Sequence, residues 1–383
     1  MKYHLLESDS AWVAQTLASV LRKVKAEVAR NGPALPFFPV EGRYRDCMMP
    51  AGLWWWTNGF WPGLLWQAYH ATGEDVYREA ARATTARLIT TLARPEKLDH
   101  DVGFLFELSA VAEYRQTGSP EARADALQAA ELLAGRFNEA GGFLRAWETS
   151  PWAADVSGWM IVDCMMNLSL LFWAGEETGE VRYKEIATRH AHTARRYLLR
   201  ADGSCAHIAA FDALTGDFKS NPAGQGYAEK SAWGRGQGWA LYGFALACRH
   251  TGEDAFLQAA KRSAHYAIAA LSAQSWLSLV DFRAPQSPMK YDSGAGVIIA
   301  CGLLELAGQL PALEQPLYVD AALKILKACT AQFAALDPGT DGILQGGRTM
   351  YHDERLANLA FVYGDYFYLE ALLRLTGQDF FIW

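Results

Sequence analysis

The chain has 383 residues, 51% of them hydrophobic and 13% aromatic, with 14 tryptophans and a formal net charge of −7. That is ample material for a large core, and the absence of any basic run argues against a nucleic-acid binder held by phosphate contacts. The six cysteines (47, 164, 205, 248, 301, 329) form no CxxC pair and read as reduced thiols of a cytoplasmic protein.

The N-terminal stretch, MKYHLLESDSAWVAQTLASV, lacks a hydrophobic region followed by a small-residue cleavage site, so no secretion signal is expected. Next comes PFFPVEGRYRDCMMPAGLWWWTNGFWPG (36–63), a loop-like stretch rich in Gly and Trp. Tryptophan with Asp, Asn, Gln and Arg equips a sugar site, where aromatic faces meet C–H groups and fixed polar groups take hydroxyls. KLDHDVGFL (97–105) then sets Asp99, His100 and Asp101 directly against an apolar segment. A turn or helix cap explains such acids, and so does a catalytic carboxylate, which needs a second one elsewhere.

The second candidate lies in GWMIVDCMMNLSLLFWA (158–174), where Asp163 is surrounded by Met, Ile, Val and Cys. The run is too short to span a membrane comfortably and is expected to form a core helix, with Asn167 on the same face as Asp163. A carboxyl in such surroundings is expected to have a raised pKa suited to acid catalysis. His190 and His192, two residues apart on a helix, point about 200° from each other, so zinc is discarded. His207, in DGSCAHIAAFD, reads alone as a structural histidine. GQGYAEKSAWGRGQGWALYGF (224–244) places Arg235 and Trp239 four apart among glycines; it lacks the spacing of a phosphate loop and fits a Gly-rich helix entry. Arg348, in GILQGGRTMYHDERLANL (342–359), fits either a solvated loop or a contact to a substrate sulfate or carboxylate.

A Thr-Gly pair recurs at Thr72, Thr117, Thr178, Thr251 and Thr376, each time after a helical pattern, where Gly suits the left-handed residue that ends a helix. The last interval is about twice the others, and AGQLPALEQP near Gly308 supplies a sixth corner. Six helical hairpins without a Pro/Gly-rich linker predict an all-α, closed (α/α)6 barrel occupying residues 1–383 as a single domain, with apolar inner helices and amphipathic outer ones. An open helical solenoid is the competing arrangement.

Taken in order, WWWTNGFWPGLLWQAYHATGE (54–74), LDHDVGFLF (98–106), IVDCMMNLSLLFWA (161–174), the His207 segment, QGYAEKSAWGRGQGWALYGFAL (225–246), YDSGAGVIIACGLLEL (291–306) and YGDYFYLEALLRL (363–375) resemble glycoside hydrolase family 88, the unsaturated glucuronyl hydrolases. Gly234 and Gly294 depart from the residues common there. Family 105, the unsaturated rhamnogalacturonyl hydrolases, is similar but usually carries RGNGW where this chain has RGQGW. The resemblance implies an (α/α)6 barrel and no metal or organic cofactor. It also implies lyase-generated oligosaccharide substrates, glycosaminoglycan disaccharides among them, that carry a 4,5-unsaturated uronic acid. Asp163 carries over as general acid/base and Asp101 as the second essential carboxylate. Trp56, His100, Trp147, Asn167, His207, Gln225, Arg235, Trp239 and Arg348 are the expected substrate-binding set. No nucleic-acid or membrane partner is expected, and the protein is expected to be a monomer or homodimer. A sugar 2-epimerase, which needs two opposed histidines, and a non-catalytic sugar binder are the alternatives from other classes.

Overall fold

The protein is described by a computed structural model covering Tyr3 and residues 5–383; Met1, Lys2 and His4, part of the N-terminal stretch considered above, lie outside the described residues. In chain order its helices are α1 (Glu7–Asn31), α2 (Phe60–Thr72), α3 (Asp75–Ile89), α4 (Val102–Phe106), α5 (Ala112–Thr117), α6 (Pro120–Ala134), α7 (Cys164–Thr178) and α8 (Val181–Tyr197). They continue with α9 (Gly234–Thr251), α10 (Asp254–Ser272), α11 (Ser293–Ala307), α12 (Gln315–Phe333) and α13 (Val362–Thr376). A π-helical turn, Glu107–Val111, joins α4 to α5 into one element.

Two rings result. α2, α4–α5, α7, α9, α11 and α13 pack side by side, and α13 returns to α2 to close the circle; α3, α6, α8, α10, α12 and α1 cover them outside. The composition of each helix explains its ring. In α11 every residue from Ser293 to Ala307 is buried, and only a helix apolar on all sides tolerates that. The outer α8 buries Tyr183, Ala187, His190, Ala191 and Ala194, a single stripe at helical spacing. This is the closed (α/α)6 barrel expected from the sequence.

The five Thr-Gly pairs are the C-terminal ends of inner helices, and Gly73, Gly118, Gly179, Gly252 and Gly377 all have φ between 71° and 76°. The threonine has a physical reason. At Thr72, Thr117, Thr178 and Thr251 the hydroxyl donates to the carbonyl four residues back at 2.6–2.8 Å and accepts the amide two residues ahead at 3.1–3.2 Å. It thus bridges the last turn of one helix and the entry to the next. The sixth corner, at Gly308, is in the expected place but is made differently: its φ is −65°, in the right-handed region.

Because the tight corners hold the C-terminal ends, the long connections all lie at the N-terminal ends of the inner helices. They carry short strands that the sequence did not announce. Trp159–Ile161, Ile208–Phe211 and Phe218–Ser220 form an antiparallel sheet. The apolar run 159–174 is therefore a strand followed by α7, and not one helix. No helix among the described residues is long and apolar enough to cross a membrane, and all six cysteines are free.

One buried acid belongs to the scaffold. Glu107, at the head of the π-helical turn, is buried with both carboxylate oxygens unpartnered. Burial raises its pKa from 4.5 to about 8, with Arg115 partly opposing. A raised carboxyl keeps its proton longer in the folded protein, so the stability it carries is complete below about pH 4.5 and is lost as pH rises through about 8. Glu107→Gln keeps the shape and removes the titration. Its stability relative to wild type is expected to improve by on the order of 3 kcal/mol between pH 5 and pH 9, measured by urea unfolding at both values. Parallel pH dependences for the two proteins would show that Glu107 does not titrate in the core.

Candidate active site

Asp101 and Asp163 occupy equivalent places, each being the residue that precedes an inner helix, α4 and α7. The two helices approach closely because Gly103 has no side chain: a Cβ there would lie 2.5 Å from the Cα of Asn167. Asn167 uses this proximity. Its Oδ1 accepts the Phe104 amide at 2.6 Å, and its Nδ2 donates to Asp101 Oδ1 at 3.2 Å and to the Asp163 carbonyl at 3.4 Å. The amide thereby joins the two acid-bearing helix entries.

The strands bring in His207. Ile161 pairs with Ile208, and the Val162 amide donates to the His207 carbonyl at 2.9 Å, so Asp163 and His207 leave the same edge of the sheet. His207 Nε2 stands 3.5 Å from Asp163 Oδ2. The other ring nitrogen accepts the Gln225 amide at 3.1 Å, so in the neutral ring the proton sits on Nε2 and faces the carboxylate. Gly224, at φ +61°, lets the loop close this tightly, since a Cβ would fall 2.0 Å from His207 Nδ1.

Burial pushes the carboxyl of Asp101 well above the usual range, and the charges of Asp99 and Asp163 push it further, against the Asn167 hydrogen bond. The sequence predicts a raised pKa at Asp163; the structure places one at Asp101. His100, fully buried with neither ring nitrogen hydrogen-bonded, lies 3.6 Å from Asp101 Oδ1. Burial first, then the nearby Arg136 charge, depress its pKa well below that of an ordinary histidine, which keeps it neutral. Asp99 accepts the Asp101 amide at 2.9 Å. Ligand atoms of Asp99, His100 and Asp101 come within 4.8 Å of one another, a spacing a cation could bridge, although acidic groups often stand so without one.

Asp99, Asp101 and Asp163 line a cavity of about 340 Å³, with Asn167, His100 and His207 set against them from behind. Trp56 forms one wall, its ring stacked on Tyr363 at 5.3 Å. Trp147 forms another, edge-on to both His100 and His207 at 6.2 and 6.3 Å. Gln225 and Arg235 also face it. Arg235 is heavily committed to the protein: Nη1 donates to Asp292 at 2.9 Å, to the Arg348 carbonyl at 2.8 Å and to Tyr363 at 3.0 Å, while Nη2 donates to the Thr349 carbonyl at 2.7 Å. Only Nε, buried and unpartnered, is left over. A larger groove of about 640 Å³ between α3 and α6 contains none of the groups described here.

Two expected residues lie neither on the cavity wall nor against its acids. Trp239 has no exposed surface and packs against Phe104 and Phe367 at 5.3 and 5.5 Å, so it has no face to offer a ligand in the cavity. Arg348 is also buried and turns away, donating to Glu354 at 2.8 Å and to the Asp353 carbonyl at 3.3 Å. Conversely, Trp54, Trp55 and Lys97 line the cavity without having been singled out, and Asp99, weighed beside Asp101 in the sequence, lines it too. The Trp54–Trp56 triplet was the available signal. Asp292 and Tyr363, which hold Arg235, lie in the YDSGAG and YGDY segments, but no spacing rule joins them to it.

Residues 40–341 match the profile described as Glycosyl Hydrolase Family 88. The chain is 40% identical over 325 residues to the unsaturated glucuronyl hydrolase of Bacillus sp. (strain GL1), with 84% of this chain and 86% of that one covered. It is 36% identical over 326 residues to the unsaturated chondroitin disaccharide hydrolase of Streptococcus pyogenes serotype M1, covering 83% and 80%. The crystal structure of unsaturated glucuronyl hydrolase from Bacillus sp. GL1 matches the fold with a TM-score of 0.87 at 36% identity over 95% of this chain and 96% of that one. With its barrel, its paired aspartates and these relatives, the chain belongs to glycosyl hydrolase family 88.

Proposed function

We propose that the protein is a hydrolase that releases 4,5-unsaturated uronic acid from the non-reducing end of lyase-generated oligosaccharides, with glycosaminoglycan-type disaccharides as the substrate class. The observation that carries the reading is the pair of buried acids, Asp101 and Asp163, joined by Asn167 at the floor of a tryptophan-walled cavity. The curated relatives named above act on unsaturated glucuronyl and chondroitin substrates. The sugar 2-epimerase alternative loses its footing because the relatives named above are unsaturated uronyl hydrolases and its second histidine, His100, is fully buried. The whole chain acts as one catalytic domain. The free cysteines favour a reducing compartment, the cytoplasm, and the working form is a monomer or homodimer.

The chemistry follows from the substrate's double bond. C4=C5 and the ring oxygen form a vinyl ether, so adding a proton at C4 leaves positive charge at C5 that the ring oxygen shares. Asp163 gives that proton. Its carboxylate then takes one from the water that attacks C5, so the residue ends as it began. The hemiketal at C5 breaks its bond to the ring oxygen, and the hemiacetal thus formed at C1 expels the leaving sugar. His207, with its proton directed at Asp163, holds that carboxyl in place. Burial disfavours negative charge on Asp101 in the empty site, and the cation growing at C5 offsets that cost, so its carboxyl stabilises the cation. Trp56 and Trp147 supply faces for the sugar, while the unpartnered Nε of Arg235 and Gln225, whose Nε2 already donates to the Thr349 carbonyl at 2.8 Å, are the polar groups nearest the uronate.

Asp163→Asn is expected to fold and bind but to lose on the order of 10²–10⁴ in turnover, followed by loss of the conjugated enol-ether absorbance. Wild-type-like turnover would remove Asp163 from the mechanism. In heavy water, product sampled within the first turnovers is expected to carry deuterium at C4, and a saturated glucuronide of the same leaving sugar is expected to be inert. Rapid cleavage of the saturated compound would return the pair to an ordinary two-carboxylate scheme at the anomeric carbon.

A further inference from the structure

The cavity has a direction. At its inner end Asp101, Asp163 and Arg235 are buried, whereas Ala51 and Lys97 at the other end are exposed. On the reading above, the reacting sugar is the terminal, non-reducing one, so it enters first and the leaving sugar is held toward the mouth. Whatever distinguishes one leaving sugar from another is therefore met by residues of the rim.

Two cations line this cavity, Lys97 and Arg235. Arg235 sits at the inner end, with both Nη atoms bound to the protein and its charge matched by the buried Asp292 carboxylate. Arg348, the other cation considered from sequence, is taken up by Glu354. Lys97 differs from both. It closes a short 3₁₀ turn, Pro95–Lys97, where the Lys97 and Leu98 amides donate to the Arg94 and Pro95 carbonyls at 3.1 and 3.0 Å, so its backbone is pinned. Its ammonium lies 4.4 Å from the centre of the Trp54 ring. No described carboxylate lies within salt-bridge distance of it, although Asp99 stands two residues away. An aromatic face orients an ammonium and leaves its remaining hydrogens free to donate.

We propose that Lys97, held over Trp54 at the cavity mouth, is a specificity-determining residue that takes an anionic substituent, a sulfate ester, on the leaving sugar. The inference rests on the hydrolase reading and adds to it a preference among substrates. The contact is electrostatic and partly exposed, so it is worth a modest factor and weakens with salt. It also leaves the proton transfers at the inner end untouched, so its effect falls on KM.

The test compares wild type, Lys97→Gln and Lys97→Arg on two unsaturated uronyl–hexosamine disaccharides that differ only by a sulfate on the hexosamine. In Lys97→Gln the ratio of kcat/KM for the sulfated over the unsulfated substrate is expected to fall about fivefold, carried by KM, with the melting temperature unchanged. Lys97→Arg is expected to keep the wild-type ratio within about twofold because it keeps the charge. Raising the salt concentration is expected to shrink the wild-type preference and to leave that of Lys97→Gln flat. An unchanged ratio in Lys97→Gln, or equal losses on both substrates, overturns the assignment while the hydrolase reading stands. Wild-type protein inert toward both disaccharides overturns that reading, and this inference with it.

Discussion

The rest of the structure depends on the common polarity of the inner ring. Six apolar helices packed side by side in the same sense place all their C-terminal ends at one end of the barrel and all their N-terminal ends at the other. Thr-Gly corners seal most of the first end in a few residues each, so the chain's long excursions have only the second end to occupy. Asp101, Asp163 and Asp292 each precede an inner helix, and Arg235 lies in the first turn of another. Unpaired amides and the positive ends of α7, α9 and α11 are directed toward this region. These helix ends partly offset the negative charge of the carboxylates gathered there.

The two ends of the barrel handle buried charge in opposite ways. At the sealed end Arg374 donates to Glu305 at 2.8 Å and to Glu370 at 3.0 Å, and Glu370 also receives the Trp383 indole at 2.9 Å. Each charge there has a partner, which is how buried ions are normally tolerated. At the open end Asp101 has an amide from Asn167 but no cation in contact, and two further acids nearby. Such an arrangement costs stability, and a site that must carry a proton explains why it is kept. A column of aromatic rings, Phe104, Trp239, Phe367 and Trp383, joins the two ends, with Phe104 only three residues from Asp101. Trp239 serves the site from below, by packing.

What was legible in the sequence follows from which signals are local. The Thr-Gly corners could be read because a helix stop is written within a few residues, and the all-apolar and striped helices because burial repeats along the chain. The sixth corner lacks the Thr-Gly pair because Gly308 ends its helix without a left-handed residue, and its place was legible only from the long interval. Asp163 stood out as a lone acid among methionines, but its place before α7 was misjudged: an apolar strand and an apolar helix joined end to end look like one helix when both are buried. Arg235, Trp239 and Arg348 looked alike as candidates, since nothing in the sequence tells an arginine facing a cavity from one facing Glu354. Lys97 was passed over because its distinction, a ring beneath it and no carboxylate in contact, exists only in three dimensions.

The electrostatics of the acid pair favour vinyl-ether hydration over attack at the anomeric carbon. Two unit charges about 4 Å apart interact by about 4 kcal/mol at an effective dielectric constant near 20. A uronate brought against two ionised carboxylates would meet a repulsion comparable to its whole binding energy. Burial and the charge of Asp99 disfavour a negative charge on Asp101, which weakens that repulsion when substrate arrives. On the proposed mechanism, protonation of C4 creates a positive charge beside the same group, and the cost of negative charge on Asp101 falls when that charge becomes useful. The carboxyl is therefore matched to the transition state more closely than to the bound substrate, which is the condition for an interaction to accelerate the step.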